Sequence, residues 1–130
     1  MSLGGIENLD YTVILCTKLA ETRAFYRDVM RFPIEVDLEN WVSFRVGSTL
    51  LTLRPRGPWS VCDDGLLPSG TAAMQLAFRV PLAAVDQCHE ELVTQGVAIL
   101  KGPTNLPKWR HRALFFRDPE GNIIEIYAQF

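Results

Sequence analysis

Phe116-Arg117-Asp118-Pro119-Glu120-Gly121-Asn122-Ile123-Ile124-Glu125-Ile126 decides how the chain is read. Apolar runs flank Asp118-Pro119-Glu120-Gly121-Asn122, where proline and glycine stand at positions a turn requires. Two strands closed by a turn are expected. The same arrangement occurs earlier. Phe44-Arg45 matches Phe116-Arg117, and Leu50-Leu51-Thr52-Leu53 matches Ile123-Ile124-Glu125-Ile126, with one extra residue in the second turn. Gly47-Ser48 supplies the tight turn of the first copy. The chain therefore contains a duplication, and repeated modules bury apolar faces that neither covers alone.

Working outward from each hairpin completes the modules. In the first, Tyr11–Cys16 is β-branched and apolar throughout, as a strand buried on both faces should be. Leu19, Thr22, Phe25, Tyr26 and Val29 then form a helical stripe, and Pro33 is expected to end that helix. Ile34–Leu38, Trp41–Val46 and Thr49–Arg54 read as three strands. In the second, Ala73–Val80 is a strand and Pro81 fits a first helical turn. Leu82, Val85, Cys88, His89 and Leu92 make an apolar face, with His89 a packing residue at its edge. Gly96 is the C-terminal stop, and Val97–Leu100, Arg112–Arg117 and Ile123–Ala128 follow. The expected fold class is α+β, with two tandem βαβββ modules at about 6–55 and 71–130 in a single domain spanning 1–130. Between them, about 56–70 holds Gly57, Pro58, Gly65, Pro68 and Gly70 without periodicity and reads as a linker and lid. Trp59 there is a lid anchor or a dimer contact.

The totals exclude several classes. Among 130 residues, 48% are hydrophobic and 22% charged, ordinary values for a globular chain. A net charge of −2 provides no footprint for a phosphate backbone, so no nucleic-acid partner is expected. No apolar run approaches the roughly 18 residues of a membrane span, and Met1–Gly5 carries no targeting signature and reads as a flexible leader. Cys16, Cys62 and Cys88 lack metal-finger spacing and read as reduced thiols in a cytoplasmic protein.

Leu19-Ala-Glu-Thr-Arg-Ala-Phe-Tyr-Arg-Asp-Val-Met-Arg-Phe32 resembles the first-helix signature of the vicinal oxygen chelate superfamily, which includes glyoxalases, bleomycin-resistance proteins, fosfomycin-resistance enzymes and extradiol dioxygenases. Phe116–Ile126 resembles its closing hairpin. The resemblance runs from about Ile6 to Ala128. It implies a half-barrel from each module, a cleft between the two curled sheets and, in many members, a divalent metal. By alignment the ligand positions fall on Tyr11, Thr52, Gln75 and Glu125. Metal-dependent members supply His and Glu there. A phenol, a hydroxyl, an amide and one carboxylate are a weak set, so a metal is disfavoured.

Strand parity assembles the rest of the expected site. Tyr11, Val13 and Leu15 share a face; so do Leu50, Thr52 and Arg54; Gln75, Ala77 and Arg79; and Ile123, Glu125 and Tyr127. Val42, Phe44 and Val46 should pack beneath the helices, leaving Trp41, Ser43 and Arg45 on the cleft side. Glu125 stands out in an apolar strand. It is a general base or ligand contact, or a vestigial metal ligand paired with an arginine. Aromatics with Arg45 and Arg79 suit a small, flat, partly anionic molecule, unless those arginines pair with Glu125 or neighbouring acids. Lys108-Trp109-Arg110-His111-Arg112 is an exposed connection or a rim over the site, with His111 on a loop. The expected function is metal-free binding of a small aromatic or anionic molecule by a homodimer. The alternatives are a lyase, isomerase or dioxygenase, metal-dependent or using Glu125 as base, and an interaction subunit with a vestigial cleft.

Overall fold

Strand pairing repeats itself in the two halves of the chain. The computed structural model describes residues 3–5, 7–57 and 73–130, divided into two units, Met1–Leu66 and Leu67–Phe130. Each unit holds one four-stranded mixed sheet, and the βαβββ order expected from the sequence is present in both. Trp59, Cys62 and most of the expected lid lie outside the described residues. Leu3–Gly5 forms a short 3₁₀ turn.

In the first unit, β1 (Tyr11–Cys16), β2 (Ile34–Leu38), β3 (Trp41–Val46) and β4 (Thr49–Pro55) are ordered β1-β4-β3-β2. β1 runs parallel to β4, and the other pairs are antiparallel. Val42, Phe44, Leu51, Leu53 and Ile14 are buried on one face. Helix α1 (Leu19–Ala24) and the π-helical turn Phe25–Val29 that continues it contribute buried Thr22, Phe25 and Tyr26. The Tyr26 ring meets the Phe44 ring at 6.1 Å, which identifies this as the helix-covered face. Two expectations need correction. β1 is not buried on both faces: it is an edge strand, and Tyr11 is 47% exposed. Nor does Pro33 itself stop the helix. Arg31 has already turned into the left-handed region at φ 59°, and the Phe32 N–H donates to the Tyr26 carbonyl.

In the second unit, β5 (Gln75–Arg79), β6 (Ile99–Leu106), β7 (His111–Arg117) and β8 (Ile123–Gln129) are ordered β5-β8-β7-β6. Leu114, Phe116, Ile124, Ile126 and Ala128 are buried. Helix α2 (Ala84–Thr94) adds Val85 and Leu92. It ends where expected: Gly96 adopts φ 80°, and the N–H groups of Gly96 and Val97 donate to the Val93 and Leu92 carbonyls. Its start is later than expected. Pro81 lies in the preceding turn, and Leu82 is 48% exposed rather than part of the buried stripe. β6 is longer than Val97–Leu100, because the strand continues through Gly102-Pro103 with register shifts that keep it paired to β7. Asp118, buried in the β7–β8 turn, accepts hydrogen bonds from the Glu120 and Asn122 backbone and the Asn122 side chain, which is the chemistry behind the motif. No helix among the described residues is long and apolar enough to cross a membrane.

Candidate functional site

The helix-free face of each sheet carries the candidate residues, because parity puts them opposite the core. In the first unit the register makes rows of Tyr11, Leu50 and Arg45, then Val13, Thr52 and Ser43. The Tyr11 and Trp41 rings meet edge-to-face at 6.2 Å. They come from β1 and β3, with β4 between. Thr52 and Ser43 share a hydrogen bond of 2.7 Å while 0% and 2% exposed. The Thr52 hydroxyl is thereby committed to a partner that sequence reading did not pick out. Arg45 is held in a two-point clamp by Glu35, with Nη2–Oε2 at 2.6 Å and Nε–Oε1 at 3.1 Å. Glu35 sits at a register shift in β2, so simple alternation misses it.

In the second unit Gln75 pairs with Ile123, Ala77 with Glu125 and Arg79 with Tyr127. Across β8, Glu125 faces Phe115 and Tyr127 faces Ala113. Gln75 Nε2 donates to Glu125 Oε1 at 3.1 Å, so the partner of Glu125 is a neutral amide and not an arginine. Glu125 is half-buried, while Gln75, Ala77 and Arg79 are exposed. His111 begins β7 rather than lying on a loop, and its ring stacks on Tyr127 at 4.3 Å and 26°. Lys108, Trp109 and Arg110 are the exposed connection, with the Lys108 ammonium 5.4 Å from the Trp109 ring centre. Arg112 faces the other way, to Asp86 on α2. The two registers superpose in the manner expected: Tyr11 stands to Thr52 as Gln75 stands to Glu125.

Residues 9–130 match the glyoxalase-like domain family. The chain belongs to that family, and so to the vicinal oxygen chelate superfamily. This glyoxalase-family chain is 28% identical to the uncharacterised protein YraH of Bacillus subtilis over 88% of its own length and 92% of that protein. It is 23% identical to the metallothiol transferase FosB of Shouchella clausii, over 97% and 81% of the two chains. Its fold matches the crystal structure of a glyoxalase/bleomycin resistance protein/dioxygenase from Nocardioides with a TM-score of 0.79 at 19% identity, covering 99% of this chain and 89% of that one.

In neither unit of this glyoxalase-family chain do the aligned positions by themselves fit a divalent metal. Thr52 is buried against Ser43, Tyr11 lies edge-on to Trp41, and Gln75 turns its amide nitrogen toward Glu125. The aligned positions of the first unit thus offer no carboxylate and those of the second offer one, where several nitrogen or oxygen ligands are needed. Among the described residues no group of three or more His, Cys, Asp or Glu forms a metal cluster.

Proposed function

We propose that this chain binds a small aromatic or anionic organic molecule on the helix-free faces of its sheets, without a tightly held metal. The supporting observation is the His111–Tyr127 stack beside exposed Arg79. A flat ring gains contact area against such a stack, and a guanidinium matches a carboxylate at two points. Tyr11 and Trp41 offer a second aromatic surface. Arg45 is less available, because a ligand carboxylate must displace Glu35.

The test has two parts. Metal analysis of untagged protein purified without chelator should find no stoichiometric metal, including after soaking with Zn²⁺, Ni²⁺, Mn²⁺ and Fe²⁺. Thermal-shift screening of small aromatic acids should then find ligands whose effect disappears in Tyr127→Ala. One equivalent of metal lost in Glu125→Gln would overturn the metal-free part.

A second reading is a lyase, isomerase or dioxygenase in which Glu125 acts as base. It draws on the half-buried position of Glu125 and on Gln75 orienting one of its oxygens. Glu125→Gln should then abolish turnover while leaving the fold intact. A cytoplasmic setting agrees with the absence of a disulfide among the described residues, which include Cys16 and Cys88. A homodimer agrees with the edge positions of β1 and β2, and light scattering at twice the chain mass is the expected result.

A further inference from the structure

Rows on the helix-free face of the second unit differ in charge. One contains Ala77, Glu125 and Phe115; the next contains Arg79, Tyr127 and Ala113. Neighbouring rows on one face lie two residues, or about 6.6 Å, apart along the strand. Glu125 and Arg79 are thus diagonal neighbours, at the roughly 7–8 Å separation across which long side chains still reach one another. No ion pair between them forms. Glu125 takes the Gln75 amide instead, a bond that orients the carboxylate without cancelling its charge. Its Oε2 keeps acceptor capacity. Arg79 is exposed and, among the described residues, its side chain makes no ion pair or hydrogen bond. By register the corners beside that diagonal are Ala77, with only a methyl group to offer, and Tyr127, whose ring is the flat surface and is backed by His111.

We infer that this face selects a zwitterionic aromatic molecule, with a carboxylate at one edge of a ring and a protonated amine at the other. The inference rests on the binding reading above and narrows it. A purely anionic ring satisfies Arg79 but meets the Glu125 charge; a purely cationic ring does the reverse. A ligand with both groups lays its ring on Tyr127, gives its carboxylate to Arg79 and its ammonium to Glu125. Gln75 acts as the positioning residue that keeps Glu125 from turning to Arg79.

Calorimetric titration of the full chain with para-(aminomethyl)benzoate, benzoate and benzylamine at low ionic strength tests this. The zwitterion should bind about fivefold tighter or more than either single-charge analogue, the scale expected for one charge-assisted contact at a partly exposed site. Glu125→Gln should erase its advantage over benzoate, and Arg79→Gln its advantage over benzylamine, with circular dichroism confirming that both variants fold. Should a variant fail to fold, the order of affinities in the unaltered chain decides. Benzoate binding as tightly as the zwitterion would overturn the inference and leave the broader binding reading standing. Absence of binding by all three compounds would overturn both.

Discussion

At the scale of single residues, the buried hydroxyl pair is the sharpest case. Ser43 and Thr52 are each other's hydrogen-bond partner, out of contact with water. Removing one leaves the other without its hydrogen bond, and a buried unsatisfied polar group costs about 1–3 kcal/mol. Thr52→Val should lower stability by that amount in urea unfolding. The double variant Ser43→Ala with Thr52→Val should cost less than the sum of the singles, because nothing is then left unsatisfied. Additive losses would mean that the pair does not act as a unit. Thr52 was legible from the sequence as a position on the helix-free face; its commitment to Ser43 was not. Whether two hydroxyls on one face bond depends on the register between β3 and β4, to within one residue. His111 was misplaced for a related reason: it lies at a strand boundary, where local pattern is weakest, and pairing with Gln129 draws it into β7.

At the scale of elements, β6 and α2 supply the tests. β6 bends at Gly102, where φ is 91° and a Cβ would run into the Ala113 carbonyl oxygen and lie 3.0 Å from the Leu114 Cα. Gly102→Ala therefore combines a left-handed backbone with a backbone clash and should cost about 2 kcal/mol or more, read as a lower urea midpoint. An unchanged midpoint would show that β6 relaxes freely there. α2 is tied to β7 by Arg112, whose Nη2 lies 2.7 Å from Asp86 Oδ1. The hydrogen bond from Arg112, aided by its charge and opposed by desolvation, holds the Asp86 carboxyl below the usual carboxylate range. A carboxyl lowered on folding stabilises the folded state above its unfolded value, about 3.9, and loses that contribution as pH falls through the lower folded value. Asp86→Asn should thus reduce Tm at neutral pH, with the difference closing in the acid range and shrinking in high salt. A pH-independent difference would point to packing. The extent of β6 was hard to read because glycine and proline in a strand resemble a terminator, whereas here they sit at register shifts.

At the scale of the whole molecule, duplication is the organising fact. Phe44 and Phe116 occupy equivalent register positions, opposite Leu51 and Ile124, and both are 0% exposed. Phe44→Ala and Phe116→Ala should each cost about 3–5 kcal/mol, the range for emptying a buried aromatic site. A much smaller loss for one would break the equivalence of the repeats. The repeat was visible in the sequence because turn chemistry and apolar alternation are local properties, written within a few residues of one another. Those same properties set the βαβββ order, the helix-covered faces through Phe44 and Phe116, and the face on which Tyr11, Gln75, Glu125 and Tyr127 stand. Partnership was decided only by tertiary structure. That Glu125 takes an amide and leaves Arg79 open, and that Arg45 is clamped by Glu35, depends on which strands neighbour each other and where a bulge shifts the register. A side chain's type and face follow from its own strand, but its hydrogen bonds depend on distances of a few ångströms to residues as far as fifty positions away in the chain.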